Sequence, residues 1–321
     1  MKALRFSKFG SPSVLAIEEI PRPEPREGEA LVQVKAAAIN PSDVATISGR
    51  FEGTTLPRTP GRDFSGVVVA GKKYQGQEVW SSGPGLGITR DGAQAEYVTV
   101  PEEALSLKPR TLSLEQAAAI GVPFMTAWVA LARAAELQAG ETILIIGVAG
   151  AVGQAATQIA NWRKAHVLGA ARSSDPIPGV AAVINTTTDN MRDRVFDLTN
   201  GKGVDAVLDT VGGAMFEPAL RSLRIGGRQV AIASTGDGRV NFDLIDFYHN
   251  LSRLIGVDST KFTPRDVAAI ADKLRPGFET GALKPPPLQL VPFENATEAY
   301  KRIASGLAKA KQVLSFSQLH S

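Results

Sequence analysis

Apolar residues in the first third of the chain come in short runs, and clusters of Pro and Gly separate these runs. Residues 30–34 and 65–70 are two of the runs, and segments 21–25 and 57–61 are two of the clusters. Apolar runs of this length between turn residues are typical of β-strands. Because no long helical pattern lies between them, we expect this region to form a small barrel or sandwich.

The pattern changes near Ser113, whose hydroxyl is placed to cap a helix that starts at the next residue. A second helical pattern covers 124–135, and strand and helix then alternate. The expected elements are a strand at 142–146, a helix at 152–162, and strands at 166–170, 182–184, 206–209, 229–233 and 254–257. Alternation of this kind predicts a parallel, doubly wound sheet covered on both faces.

The last sixty residues mix helices and strands. A helix near 264–274, a strand at 288–291, a helix from 296 to about 307 and a strand at 313–316 are expected. We interpret this tail as returning to the first region. A chain of 321 residues is long for one core, and the predicted domains are 1–118 with 259–321, and 119–258.

Composition narrows the class of protein. Hydrophobic residues make up 44% and charged residues 21% of the chain, as in soluble globular proteins. A net charge of +3, without a basic run, argues against nucleic-acid binding. The apolar stretches are shorter than the ~20 residues of a membrane helix, and the opening residues lack a signal-peptide pattern. A cytoplasmic protein without membrane association is therefore expected.

Three glycines follow the apolar strand at 142–146, and a helix is expected to start among them. Gly147, Gly150 and Gly153 stand three residues apart, with Ala151 and Val152 in the last interval. A glycine turn between a buried strand and a helix lets backbone N–H groups approach a pyrophosphate. The spacing differs from the G-x-G-x-x-G fingerprint, and a tight turn without a ligand is the alternative. The order strand, helix, strand favours a dinucleotide site.

The residues after the next strand indicate which dinucleotide binds. An NAD site commonly has Asp or Glu there for the ribose hydroxyls, but segment 169–174 has no acid. Arg172 offers a fork of donors to a phosphate, and Ser173 offers a hydroxyl. NADPH is therefore the expected cofactor. The alternative is that Arg172 is a surface arginine in a loop.

Several motifs in a fixed order give the chain a resemblance to a known family. They lie at 40–43, 60–67, 92–98, 117–119, 123–128, 209–213 and 311–314. With the glycine turn among them, the chain resembles the medium-chain dehydrogenase/reductase superfamily, and within it the zinc-independent quinone oxidoreductases related to ζ-crystallin. The resemblance implies an α/β fold with a GroES-like β-barrel domain, completed by the C-terminal segment, and a Rossmann domain with a doubly wound parallel sheet.

The resemblance also implies where the cofactor is bound. The implied contacts are Asn40, Thr126, the glycine turn, Arg172, Ser173, Val211, Ile232, Ala233 and Lys311. It further implies a homodimer in which the last strand of the Rossmann sheet, near 254–257, pairs across a two-fold axis. An apolar edge strand left open would favour aggregation, in agreement with burial in a dimer.

The chain cannot build the zinc sites of its zinc-dependent relatives, which use cysteine and histidine. It has no cysteine, and its histidines are the scattered His166, His249 and His320, so no metal is expected. Without zinc to polarise an oxygen, the feasible reaction is hydride delivery to an activated carbon, in a quinone or an α,β-unsaturated carbonyl. The proton could come from solvent.

Few side chains are candidates for this chemistry. The resemblance places Asn40 near the nicotinamide, where its amide could orient the cofactor or the substrate oxygen; turn formation before Pro41 is the alternative. Asp43 is a second candidate, although holding its own loop through hydrogen bonds suits it better. Relatives often have a tyrosine two residues further on, where this chain has Ala45, so a mechanism that needs a phenol is in doubt.

The leading prediction is thus an NADPH-dependent reductase of quinones or conjugated carbonyls. One alternative is an enoyl-thioester reductase, which shares the hydride chemistry. Another is an NADPH-binding sensor or structural protein with little catalysis.

Overall fold

The structure is a computed structural model that describes residues 1–316. The chain divides into two compact units. Unit 1 comprises Met1–Met125 together with the residues from Thr260 onward, and unit 2 comprises Thr126–Ser259. His320, one of the three histidines considered above, lies outside the described residues.

Unit 1 is rich in β-structure. Its strands are β1 (Lys2–Phe6), β2 (Leu15–Glu19), β3 (Glu29–Ala38), β4 (Asp63–Ala70), β5 (Glu78–Ser82), β6 (Tyr97–Pro101), β7 (Ser106–Leu107), β14 (Leu288–Pro292) and β15 (Lys311–Ser315). Its helices are α1 (Pro41–Ile47), α2 (Leu114–Ala119), α8 (Pro264–Glu279) and α9 (Ala296–Ala304), and α3 (Gly121–Trp128) starts in it.

The alternation in β3 explains how the sheet of unit 1 forms. Ala30, Val32 and Val34 are buried on one face, as expected for a strand with one side against a core. β3 pairs with β4, β6 and β15. Because β15 pairs antiparallel with β3 through Val313 opposite Ala38, the predicted return of the C-terminal tail to the first region is confirmed.

Unit 2 alternates strands and helices. Its strands are β8 (Thr142–Ile146), β9 (His166–Ala171), β10 (Ala182–Asn185), β11 (Val204–Asp209), β12 (Leu223–Ala231) and β13 (Arg253–Gly256). Its helices are α4 (Ala151–Trp162), α5 (Met191–Leu198), α6 (Phe216–Leu220) and α7 (Leu244–His249).

These six strands form one parallel sheet in the order β10-β9-β8-β11-β12-β13. The direction of strand addition reverses between β8 and β11. In open sheets of this type, ligands bind outside the carboxyl ends of the strands at that reversal. The residues that follow Ile146 and Asp209 are therefore positioned to form a site.

Several predicted elements differ in extent from the observed ones. The helix predicted at 124–135 starts at Gly121 and changes at Val129–Ala134 to wider, π-type turns. The strand predicted at 229–233 runs from Leu223 to Ala231; Leu223 pairs with Val204, and after an irregularity that contains Gly226 and Gly227 the pairing resumes at Arg228. The helix predicted to about 307 stops at Ala304, two residues before Gly306, which has a φ of +71°.

The predicted fold class is confirmed: an α/β protein with a β-rich first unit and a doubly wound parallel sheet in the second. Within residues 1–316, none of the helices combines the length and the apolar character that crossing a bilayer requires.

Candidate cofactor and catalytic site

The glycine turn of unit 2 leaves β8 in a conformation that suits glycine. Gly147 has a φ of +74°, and its N–H donates to the carbonyl of Ala170 on the neighbouring strand, at 2.9 Å. A Cβ at Gly147 would lie 2.4 Å from Oγ1 of Thr210. Glycine is therefore required at this position by backbone conformation and by space.

Helix α4 starts at the turn with its first amides open. Its N-cap is Gly150, which has no side chain to accept from them, and the first N–H groups of a helix have no acceptor within it. Residues 149–151 are exposed. A Cβ at Gly153 would lie 2.4 Å from the carbonyl oxygen of Gly147, so this glycine lets the helix lie close to the turn. The open amides and the helix dipole make an anion site that fits a pyrophosphate.

Two more strand ends lie beside the turn. Thr210 Oγ1, after β11, donates to the carbonyl of Ile146 at 2.8 Å, and a Cβ at Gly147 would also lie 3.0 Å from Val211. After β12, the carbonyl oxygen of Ala233 lies close to Gly212, and a Cβ at Gly212 would be 2.8 Å from it. The structure thus brings the predicted contacts Val211 and Ala233, together with Ile232, to the carboxyl edge that carries the glycine turn.

Asp209 holds this edge together and was not among the predicted site residues. Its carboxylate is fully buried and accepts from the backbone N–H groups of Val211, at 3.0 Å, and Gly212, at 2.7 Å. Nε2 of Gln229 donates to it at 3.4 Å. An acid at the end of an apolar strand, directly before a turn with two glycines, was the available signal in the sequence.

Arg172 and Ser173 follow β9, whose Ala170 lies opposite Ile146 of β8. Both side chains are exposed, and neither forms a hydrogen bond or ion pair with other described residues. The strand end carries no carboxylate before Asp175. A free guanidinium beside a dinucleotide turn is suited to a phosphate.

Thr126, another predicted cofactor contact, lies in α3. It is 6% exposed, and its Oγ1 has no hydrogen-bond partner within residues 1–316. Buried polar atoms normally have partners, so this hydroxyl is available to a ligand.

In unit 1, Asn40 and Asp43 form the start of α1. The backbone N–H of Asn40 donates to Oδ2 of Asp43 at 2.8 Å, and each residue is 1% exposed. Asp43 therefore holds its own loop, as the alternative considered above requires, and Asn40 forms the turn before Pro41. A role in catalysis for either residue stays a prediction.

Both the oxygen and the nitrogen of the Asn40 side-chain amide are hydrogen-bonded. Nζ of Lys311, at the start of β15, donates to Asn40 Oδ1, and Asn40 Nδ2 donates to Oδ2 of Asp63 at 2.9 Å. Three segments far apart in the sequence thus place Asn40, Asp43, Asp63 and Lys311 in one group, which we call the polar cluster. It brings together the two predicted catalytic residues, Asn40 and Asp43, and two predicted cofactor contacts, Asn40 and Lys311.

Asp63 is the member of the polar cluster that sequence reasoning missed. It is fully buried and also accepts from the backbone N–H of Val122, at 2.9 and 3.0 Å. A Cβ at Gly121 would lie 2.3 Å from Asp63 Oδ1, so glycine is needed where α3 meets the carboxylate. The acid stands inside the motif at 60–67, but its partners are remote in the sequence.

Burial and neighbouring charges shift the pKa values in the polar cluster. Burial, with a smaller contribution from the Asp63 carboxylate, raises the pKa of Asp43 to about 7. Burial lowers the pKa of Lys311, although the carboxylates of Asp63 and Asp43 oppose this. Burial, and next the charge of Asp43, raises the pKa of Tyr300, whose hydroxyl donates to Gln94 at 2.7 Å. The cluster can therefore change protonation near neutral pH.

No group of three histidine, aspartate or glutamate side chains suited to a metal ion was found in the part of the chain that the structure describes. The chemistry that the described residues offer is an anion site of backbone amides in unit 2 and a set of buried, titratable side chains in unit 1.

Two family profiles match the chain. One is described as an alcohol dehydrogenase GroES-like domain and covers residues 26–110. The other is described as a zinc-binding dehydrogenase and covers residues 151–274. A zinc-type alcohol dehydrogenase-like protein of Schizosaccharomyces pombe is 38% identical over 291 residues, 88% of this chain and 87% of that protein. Human quinone oxidoreductase is 32% identical over 327 residues, 98% and 97% of the two chains.

Solved structures of oxidoreductases are also similar to the chain. An NAD-dependent alcohol dehydrogenase superposes with a TM-score of 0.87 at 30% identity, over 98% of this chain and 99% of that one. A mycobacterial protein in complex with NADPH gives a TM-score of 0.86 at 25% identity over the same shares. The chain belongs to the medium-chain dehydrogenase/reductase superfamily, among the quinone oxidoreductases, and it is an oxidoreductase.

Proposed function

We propose that this quinone oxidoreductase relative uses NADPH to reduce quinones or α,β-unsaturated carbonyls by metal-free hydride transfer. The observation that carries the proposal is the acid-free end of β9, where exposed Arg172 and Ser173 follow the strand beside the glycine turn. Carboxylate there would favour the ribose hydroxyls of NADH, and a guanidinium favours the additional phosphate of NADPH.

Different residues of unit 2 would bind different parts of NADPH. The open amides of Ala151 and Val152, next to Gly147, Gly150 and Gly153, would hold the pyrophosphate, and Arg172 with Ser173 would hold the 2′-phosphate. Val211, Ile232 and Ala233 line the edge beyond the turn, and the unpaired hydroxyl of Thr126 supplies one further hydrogen bond. Bound NADPH would supply the hydride.

The substrate class follows from what the side chains can provide. The chain has no cysteine to ligate zinc, and zinc is what polarises simple alcohols for oxidation in dehydrogenases. A conjugated acceptor needs only hydrogen bonds to the oxygen on which charge develops. Relatives named quinone oxidoreductase support this choice, and the S. pombe relative named as zinc-type shows that names in the family vary.

Steady-state oxidation of NADPH and NADH tests the proposal. The acceptors are 9,10-phenanthrenequinone, a short enone and crotonyl-CoA. We expect turnover with the quinone or the enone and a preference for NADPH. Turnover confined to crotonyl-CoA would indicate an enoyl-thioester reductase. Saturable quenching of tryptophan fluorescence by NADPH, without turnover on any acceptor, would indicate a sensor or structural protein.

Arg172→Ala tests the cofactor choice separately. We expect the Kd for NADPH to rise roughly 10- to 100-fold, since a charge-assisted contact is lost, while the Kd for NADH stays unchanged. Arg194→Ala is the matched control, because Arg194 is also exposed in unit 2 and its guanidinium pairs with Asp197, at 3.5 Å. Equal binding of the two cofactors by the wild type and by Arg172→Ala would contradict the assignment of NADPH.

We also propose that the protein is a cytoplasmic homodimer that binds neither nucleic acid nor membrane. β13 lies at the end of the sheet, and no strand among residues 1–316 pairs with its outer edge. Large apolar side chains are exposed on β13 and in the segments next to it in sequence or in the sheet: Ile225, Leu244, Ile245, Tyr248, Leu251 and Leu254. An apolar edge of this kind is expected to be covered in solution.

Sedimentation at micromolar concentration tests the dimer. The wild type should have the mass of two chains, and Leu254→Glu should reduce it to one by placing a charge on the edge. Leu290→Glu is the control, since Leu290 is an exposed strand residue of unit 1. A monomeric wild type would remove the claim.

A further inference from the structure

The polar cluster leaves one of its members open to a ligand. Asn40 and Asp43 are each 1% exposed, and Asp63 is fully buried. Lys311 is only partly buried. The side chain of this group that a substrate can reach is therefore the lysine.

The hydrogen-bond count supports the same assignment. An ammonium group has three hydrogens and no acceptor, and the one bond of Lys311 Nζ to a described residue is to Asn40 Oδ1. Two N–H donors remain. Both polar atoms of the Asn40 amide are already hydrogen-bonded: Oδ1 accepts from the ammonium of Lys311, and Nδ2 donates to Asp63. These two bonds fix the orientation of the amide, so Asn40 holds the lysine in place.

The surroundings of Lys311 suit a group that gives up a proton. Asp63 and Asp43 face it, Arg62 lies near Asp43, and Tyr300 with Gln94 lies beyond Asp43. Burial lowers the pKa of the amine below that of an ordinary lysine, and the two carboxylates oppose this by favouring the charged form. A general acid works best when its pKa lies near the operating pH.

We propose that Lys311 is the proton donor of the reduction, with Asn40 and Asp63 as its positioning residues. The proposal rests on the proposed function, and it gives Lys311 a role other than the cofactor contact expected from the family resemblance. The β-carbon of an enone gains the hydride, and the C=C pair moves to form a new C=C bond next to the carbonyl carbon. The C=O π pair goes to oxygen, which takes a proton from Nζ, and water returns the proton to the amine.

The enol formed in this step becomes the saturated ketone in solvent. For a quinone the same transfer gives a keto tautomer, which becomes the hydroquinone when the ring carbon loses a proton to solvent and the second oxygen gains one. In both cases a positive donor would stabilise the negative charge that develops on the oxygen.

The test combines Lys311→Met, Lys311→Arg and Lys311→Ala, with Lys309→Met as control, an exposed lysine two residues earlier. We expect kcat to fall about 100-fold or more in all three Lys311 variants, and the Kd for NADPH to change less than about threefold. Methylamine should restore part of the kcat of Lys311→Ala. In the wild type, kcat should fall at alkaline pH as Lys311 loses its proton, below the pH at which an ordinary lysine titrates, and Lys311→Arg should lack this limb.

Two other results would show that Lys311 is not the proton donor. A Kd for NADPH that rises tenfold or more, with kcat unchanged at saturation, would make Lys311 a cofactor contact and overturn the proposal. Loss of kcat without rescue by methylamine, together with a lower thermal midpoint, would assign it a structural role and overturn it as well. If Lys311→Met does not fold, Lys311→Arg keeps the charge and still separates these outcomes. A wild type inactive on every acceptor would instead refute the proposed function.

Discussion

Units 1 and 2 both bring predicted site residues together, but they use different chemical groups. In unit 2 the site is made of backbone: open amides at α4, glycines that permit close approach, and a buried Asp209 that accepts two N–H groups. In unit 1 it is made of titratable side chains, with Asp43, Asp63 and Lys311 around one amide.

This difference predicts a different sensitivity to substitution and to pH. A backbone site carries no proton that is lost or gained near neutral pH, but it fails when any Cβ fills the space that the glycines leave. A buried group of carboxylates and an amine tolerates shape changes better, but its stability depends on protonation. The predictions below test these expectations, beginning with the largest effect.

Gly153→Val should have the largest effect. Even its Cβ would lie 2.4 Å from the Gly147 carbonyl oxygen and 2.7 Å from the Cα of Val148, both of them backbone atoms that cannot move aside. We expect a loss of stability of about 3 kcal/mol or more and a rise of over 100-fold in the Kd for NADPH, measured by urea unfolding and fluorescence. Gly256→Ala, in the same unit with no atom within 4 Å of the new Cβ, should change neither. Normal binding by Gly153→Val would contradict a tightly packed turn.

Asp43→Asn should remove a pH dependence of unit 1. Because the pKa of Asp43 is raised by burial from its ordinary 3.8 to about 7, its contribution to stability is full below about pH 4 and is lost as pH rises through 7. The difference of about 3 pKa units corresponds to roughly 4 kcal/mol. Urea unfolding at pH 4.5, 6 and 7.5 should show this decline in the wild type and a flatter curve in the variant.

Tryptophan fluorescence can follow the unfolding of unit 1 separately from that of unit 2. Trp80 is buried there, whereas Trp128 and Trp162 lie in unit 2, so both are replaced by Phe in the background used. Glu52→Gln, at an exposed position of unit 1, is the control and should keep the decline. An unchanged decline in Asp43→Asn would show that the carboxyl does not titrate in this range.

Gly121→Ala should destabilise unit 1 by about 1–3 kcal/mol, because the new methyl would displace the carboxylate of Asp63. In an Asp63→Ala background the same change should cost little. This double-mutant cycle separates loss of the Asp63 contacts from a general effect on α3. Additive costs in thermal unfolding would count against the contact.

Glu141→Gln should have the smallest effect, and its pH dependence should be opposite in sign to that of Asp43. Arg228 forms a two-point ion pair with Glu141 in unit 2. Although partial burial opposes it, this pairing lowers the pKa of Glu141. The stability it contributes is present above the ordinary glutamate pKa and is lost as pH falls through the lowered value. We expect a loss of about 1–2 kcal/mol at pH 7 that shrinks near pH 3.5.

Glu136→Gln, exposed in the same unit, is the control for this change. A loss that is equally large at both pH values would show that Glu141 acts through packing and not through its charge.

The two sites also differ in how far the sequence predicts them. The glycine turn, its strand and its helix lie within about twenty consecutive residues, so local spacing and hydrophobic pattern were sufficient. The observed β8 agrees with the predicted strand at 142–146, and α4 starts one residue before the predicted helix.

The polar cluster could not be predicted in the same way. Asn40, Asp63 and Lys311 belong to α1, β4 and β15, and they meet because β15 adds to β3 and β3 pairs with β4. Side-chain contacts of this range depend on sheet register, which a single sequence does not specify. Asp209 stands at a recognisable place in the sequence, at the end of an apolar strand before two glycines. Its contacts with the amides of Val211 and Gly212 and with Gln229 depend on the folded strand ends and could not be predicted.

The pairing of Val313 with Ala38 has a consequence for synthesis on the ribosome. Every residue of unit 2 leaves the exit tunnel before β15 does, so unit 2 can fold while unit 1 still lacks a strand. Until β15 has been synthesised, Ala36, Ala37 and Ala38 of β3 lack this partner and stay open to other chains, and the contact that covers them joins residues far apart in the sequence. The nascent protein should therefore depend on chaperones mainly through its N-terminal part until β15 has left the exit tunnel.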